Sequence, residues 1–83
     1  MNEEEVFTRL KSVISSVVSE KEIIDKLTLD SNLTNEFHFD SISMLMMAIS
    51  IEREFGIEIA SIDMNKFITV RDFVNYIKDN YEE

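Results

Sequence analysis

Cysteine, proline and tryptophan are absent from this 83-residue chain, and glycine and histidine occur once each. Without cysteine there is neither a disulfide framework nor a thiolate metal site, so a chain this short must rely on one apolar core. A single glycine rules out a glycine-rich phosphate loop. Basic side chains are also scarce, 8 against 17 acidic ones, for a formal charge of −9. Such a chain repels phosphate backbones and gains nothing from counterion release, so nucleic acid is excluded as a partner and basic protein surfaces are favoured. No apolar run approaches the roughly 18 residues of a membrane span, and the start Met-Asn-Glu-Glu-Glu is the reverse of a basic signal peptide. A soluble, cytoplasmic monomer without membrane insertion is expected.

What is present suits a small globular domain. Apolar residues make up 45% of the chain against 30% charged, enough for a core and too apolar for wholesale disorder. The length admits one domain, residues 1–83. Charge is unevenly spread: residues 41–51, Ser-Ile-Ser-Met-Leu-Met-Met-Ala-Ile-Ser-Ile, contain none.

Helical spacing dominates. Val6, Phe7, Leu10, Val13, Ile14, Val17 and Val18 recur on one face, after an Asn2 cap and three glutamates that suit the positive end of a helix dipole. This predicts a first helix over residues 3–18. Residues 19–40 read as a long loop, rich in Asn, Asp, Ser and Thr, pinned by Ile23, Ile24, Leu27, Leu29, Leu33, Phe37 and Phe39, with a helical turn near 20–26. A second helix is expected from Asp40 as cap to Phe55, ended by Gly56, with Leu45, Ala48, Ile49, Ile51, Glu52 and Phe55 defining its inner face. Met44, Met46 and Met47 extend its apolar character further round. A short extended stretch at 57–59 and a helical turn at 63–67 follow. The last helix opens on Thr69-Val70-Arg71-Asp72, a capping box, and buries Val70, Phe73, Val74 and Ile77. The fold class is therefore all-α: a small bundle of three longer helices and one or two short ones, with a long loop between the first two long helices.

Catalysis has little to work with. A triad from His38, Asp40 and Ser41 would lie within four residues, with no independent element to orient the base and no oxyanion loop. The chain is not expected to be an enzyme. Asp30-x-Asn32 begins like a calcium loop but lacks the turn glycine and terminal glutamate, so no metal site is expected. What stands out is Ser41, a hydroxyl at a helix start preceded by Asp40 and followed by Ile42. Such a position lies in the field of free backbone N–H groups and suits an attached phosphate, although Asp-Ser pairs also serve merely as caps.

Three segments carry a resemblance: Phe37-His38-Phe39-Asp40-Ser41-Ile42, then Glu52-Arg53-Glu54-Phe55-Gly56-Ile57-Glu58-Ile59, then Phe67-Ile68-Thr69-Val70-Arg71-Asp72-Phe73-Val74-Asn75-Tyr76-Ile77. In this register, most of the chain resembles the acyl carrier protein family of phosphopantetheine-dependent carriers. The resemblance implies a small four-helix bundle, three longer helices and one short helix, in which Ser41 carries covalent 4′-phosphopantetheine derived from coenzyme A, whose thiol holds acyl groups as thioesters. By default the pathway is fatty acid biosynthesis, within lipid metabolism. A dedicated aminoacyl, peptidyl or polyketide pathway stays open, as does an unmodified Met-rich interaction module.

The implied partners are a phosphopantetheinyl transferase and acyl-transferring, condensing or ligase enzymes with basic or apolar docking surfaces. They would meet Asp40, Ile42, Ser43, Met46, Ile49, Glu52 and Arg53. An acyl pocket is implied at Leu33, Ile51, Ile59, Met64, Phe67 and Phe73. The chain departs from the family where Phe37-His38 replaces Leu-Gly, where Ala60 replaces Pro, and where Ser43 and Met46 replace acids. Phe67 and Phe73 stand where smaller residues are commoner, so the pocket is expected to be narrow.

Overall fold

The structure is a computed structural model that describes residues 2–18, 21–59 and 66–81. Five helical segments are present among the described residues. The first, α1 (Glu3–Val17), starts where the Asn2 side chain accepts from the Glu5 N–H at 2.8 Å, with Glu3, Glu4 and Glu5 in its first turn. It ends at Val18, whose backbone turns extended. Val6, Leu10, Val13 and Ile14 form its buried stripe, against which α4 and α5 both pack. Thus α1 is the central post of the bundle.

The expected connection is more structured than a loop. It contains α2 (Lys21–Asp25), in the place of the expected turn, and α3 (Leu33–Phe37), which the sequence reading missed. The cause of α3 is local: the Asn32 side chain accepts from the Asn35 N–H at 2.9 Å, and the Glu36 carboxylate reaches back to the Asn32 N–H. This reciprocal arrangement is like a capping box, with the returning acid one position later, at Glu36 rather than at Asn35. Of the two short helices, α2 therefore fulfils the expected turn and α3 stands where only loop was expected.

The strap preceding α3 is tied to the start of the last helix. Leu33 N–H donates to the Ile68 carbonyl at 3.3 Å, Val70 N–H to Ser31 at 3.1 Å, and Arg71 N–H to Leu29 at 2.7 Å. Asn32 and Thr69 form an isolated antiparallel bridge. Ser31, only 3% exposed, is satisfied because its hydroxyl accepts from the Thr28 N–H at 2.9 Å. A buried hydroxyl without such a partner would be costly.

The helix α4 (Ser41–Phe55) keeps its expected bounds, with Asp40 as N-cap and Gly56 as a left-handed C-cap at φ 68°. Its rotation corrects the sequence reading. Met44, Met47, Ala48, Ile51 and Phe55 face the core, whereas Leu45 and Ile49, assigned to the inner face, are 49% and 40% exposed. With apolar side chains nearly all round the helix, periodicity alone did not choose its buried face. After Gly56 the chain leaves the helix and buries Ile57 and Ile59, and Glu52 holds it by accepting from the Ile59 N–H at 3.0 Å. Residues 63–65 of the expected turn lie outside the described residues.

Finally, α5 (Val70–Asn80) has the complete Thr69/Asp72 capping box and buries Val70, Phe73, Val74 and Ile77, as its spacing predicts. The class is all-α, a small helical bundle.

Candidate functional site

Three residues, His38, Phe39 and Asp40, join α3 to α4. His38 takes the left-handed conformation, φ 57°, as C-cap of α3, and the Phe39 N–H donates to the Leu33 carbonyl at 3.1 Å. The Phe39 ring, 5% exposed, then anchors the segment in the core. Position 38, where the resembling family has glycine nearby, thus keeps the left-handed turn with a bulkier residue, at a conformational cost.

Immediately beyond, Asp40 is extended and its Oδ1 accepts from the Ser43 N–H at 2.8 Å. This bond holds the Asp40 carboxyl below its ordinary value of 3.8, so it is ionised at neutral pH. Ser41 is the first residue of α4 and is exposed. Its hydroxyl therefore stands at the open end of a 15-residue helix, next to a fixed carboxylate.

Ser41 lies on the rim of a cleft of about 560 Å³. Phe39, Met44 and Phe67 make its floor, each at most 8% exposed, while Leu45 and Ile68, about half exposed, stand at its edge. Behind the floor, Phe67 stacks on Phe73 with ring centroids 4.6 Å apart and planes 16° from parallel. Tyr76 meets Phe67 edge-on at 5.6 Å and donates its hydroxyl to the Glu58 carbonyl at 2.6 Å.

Four exposed apolar side chains line one face of α4: Ile42 (70% exposed), Leu45 (49%), Met46 (50%) and Ile49 (40%). Their spacing of three and four residues places them in one stripe beginning next to Ser41. Of the expected docking residues, Ile42, Met46 and Ile49 share this stripe and Asp40 stands at its start. Ser43 is half-buried, Glu52 accepts from the Ile59 N–H, and Arg53 is exposed over a hollow shared with Ser12, Ser16 and Ser50.

The expected pocket residues separate differently. Leu33, Ile51, Ile59 and Phe73 are fully buried in the common core, and among the described pocket residues only Phe67 also lines the cleft. Met64 lies outside the described residues. The sequence reading missed Thr34, Met44, Leu45 and Ile68 as cleft residues; their signal is tertiary, because they come from three separate segments.

Residues 8–77 match the phosphopantetheine attachment site family. The acyl carrier protein of Coprothermobacter proteolyticus is 31% identical over 80 residues, covering 96% of this chain and 95% of its own. That of Lactobacillus johnsonii is 38% identical over 80 residues, covering 96% and 98%. A solved structure, the apo doublet acyl carrier protein from prodigiosin biosynthesis, superposes with a TM-score of 0.79 at 20% identity. It shares the fold over 96% of this chain, which spans 38% of that doublet.

The match over residues 8–77 makes this helical bundle that of a phosphopantetheine carrier. This chain belongs to the acyl carrier protein family, and its prosthetic group is covalently attached 4′-phosphopantetheine. It is a carrier rather than a catalyst, and the family implies dealings with a phosphopantetheinyl transferase and acyl-handling enzymes. The residues suit the group: the exposed Ser41 hydroxyl is of the kind that would provide an ester oxygen, and the adjoining cleft leaves room beside it. Among the described residues there is no cluster of three potential metal ligands and no helix long and apolar enough to cross a membrane.

Proposed function

We propose that Ser41 is the attachment residue and that the chain, a single domain over residues 1–83, carries acyl intermediates for fatty acid biosynthesis in the cytoplasm. The observation that carries this reading is the exposed Ser41 hydroxyl at the first position of α4, beside the cap Asp40 and on the rim of an apolar cleft. When bound, the group supplies a thiol on a flexible arm, which holds the cargo as a thioester.

The chain's own residues have distinct tasks. Asp40 fixes the first turn of α4, so that Ser41 is presented on rigid backbone to the transferase. Ile42, Met46 and Ile49, with Leu45 between them, offer partners an uncharged apolar strip along the same helix. Around it, the formal charge of −9 attracts basic partner surfaces and speeds encounter more than it tightens binding, which suits a shuttle that must release.

Incubation with coenzyme A and a broad-specificity phosphopantetheinyl transferase tests the reading. One phosphopantetheine should be added to the wild type, on the peptide containing Ser41, and none to Ser41→Ala. Addition at another serine, or no addition under conditions that load a control carrier, rejects it.

A further inference from the structure

We propose that Met46 is an oxidation site: peroxide converts its thioether to the sulfoxide, and the added oxygen hinders docking on the exposed face of α4 until it is reduced. The proposal rests on the reading of that face as the side that partners meet and of Ser41 as the attachment residue, and adds a chemical switch within it.

Met44, Met46 and Met47 stand within four positions of α4, and the fold treats them differently. Met47 is fully buried and Met44 is 8% exposed, both within the core, whereas Met46 is 50% exposed. One of the three sulfurs is therefore open to a dissolved oxidant while the helix is folded. The other two are reached only when α4 opens, which costs part of the stability of the bundle. Because the chain lacks cysteine, the apo protein has no thiol to consume the oxidant first. The reaction is a two-electron transfer that needs only hydrogen peroxide. A sulfur lone pair attacks one peroxide oxygen and the O–O bond breaks; that oxygen stays on sulfur, and the other leaves as water after a proton shift. Sulfur is oxidised and peroxide is reduced.

Position decides the consequence. Ile42 lies one turn before Met46 and Ile49 nearly one turn after it, with Leu45 alongside, so Met46 sits in the middle of the exposed apolar strip. Residues 41–51 carry no charge, and contact with this strip therefore depends on apolar burial rather than on Coulomb attraction. A sulfoxide oxygen there is strongly polar and must either keep its water or be buried against a partner's apolar surface without a donor, which is costly. Isoleucine and leucine have no such chemistry. Met46 is thus the member of the strip whose polarity an oxidant resets, and the change is reversible because sulfoxides are reduced back to thioethers. With its side chain half in solvent, the fold itself is left undisturbed.

The test exposes the apo chain to dilute hydrogen peroxide, removes the excess with catalase, and locates the added oxygen by tryptic digestion and peptide fragmentation. Residues 27–53 form one tryptic peptide holding Met44, Met46 and Met47, separate from the peptides of Met1 and Met64. Met46 should be oxidised roughly tenfold faster than Met44 or Met47, with helical circular dichroism unchanged. Protein stopped at that stage is then assayed as the substrate of a broad-specificity phosphopantetheinyl transferase with coenzyme A. Its KM should rise at least about fivefold with kcat little changed, and methionine sulfoxide reductases with dithiothreitol should restore it. Met46→Leu should show the same KM before and after peroxide. Equal oxidation of the three sulfurs, a KM unmoved by the Met46 sulfoxide, or an equal rise in Met46→Leu overturns the proposal while leaving Ser41 as the attachment residue. Failure of the untreated chain to load at Ser41 overturns the attachment reading and the proposal with it.

Discussion

Arg9 on α1 grips the end of α4 through Glu54, forty-five positions away in the chain: its Nε donates to the Glu54 carboxylate at 3.0 Å and its Nη2 to the Glu54 carbonyl at 2.7 Å. The same guanidinium lies 4.6 Å over the Phe55 ring. An exposed ion pair alone contributes at most about 1 kcal/mol, but the carbonyl bond and the ring contact depend on the planar fork of arginine. Arg9→Lys should therefore lose most of what Arg9→Ala loses, about 1 kcal/mol of unfolding free energy. Thermal melts in low and high salt check this. A lysine variant as stable as wild type would show that charge alone is involved.

His38 and Gly56 both adopt left-handed backbone, at φ 57° and φ 68°. A side chain in this region carries a penalty that glycine does not, offset in part by glycine's greater freedom in the unfolded chain. His38→Gly should stabilise by about 0.5–1 kcal/mol. Gly56→Ala should destabilise by about 1 kcal/mol through the backbone alone, since an added Cβ meets nothing within 4 Å. Chemical denaturation of both variants gives the two signs.

Acid should weaken both helix caps. Burial tends to raise the Asp72 pKa, but the N–H groups of Thr69 and Ile68 outweigh it and leave the carboxyl lowered. Asp40 is lowered chiefly by the Ser43 N–H. A lowered folded pKa means stability that is present above the unfolded value of about 3.8 and is lost as pH falls through the folded one. Titration of other acids relieves self-repulsion at the same time, so the informative quantity is the difference between wild type and Asp72→Asn. That difference should be constant near neutrality and shrink on acidification below pH 3.8. A difference independent of pH down to unfolding would contradict the assignment.

The uncharged start of α4 predicts weak salt dependence in docking there. Screening reduces only what Coulomb attraction supplies. Met46→Glu places an acid within the exposed stripe of Ile42, Leu45 and Ile49. With a carrier-handling enzyme of fatty-acid type and basic docking surface, it should raise the association rate in low salt and steepen the decline with added salt. It should impair binding to a partner that docks on the apolar strip. Equal responses from both partners would show that this face does not discriminate.

Much of the framework was legible in local sequence. The α1 stripe of Val6, Leu10, Val13 and Ile14, the Asp40 and Gly56 ends of α4, and the Thr69/Asp72 box of α5 all depend on spacing or on hydrogen bonds within one turn. The Asp-Ser-Ile signal at the start of α4 was equally local. By contrast, α3 was overlooked because its five residues are too short to show a helical period, amid residues that also form turns.

The sequence by itself determined that the chain is a helical bundle and placed a distinctive serine at a helix start, because hydrophobic period and capping chemistry act between residues a few positions apart. Only the tertiary structure decided that Met44 and Met47 turn inward while Leu45 and Ile49 remain outside. On a helix apolar nearly all round, that rotation depends on which neighbours pack against it. The cleft likewise exists only once α3, the start of α4 and the segment at Phe67 and Ile68 converge, since no single segment encodes the space between them.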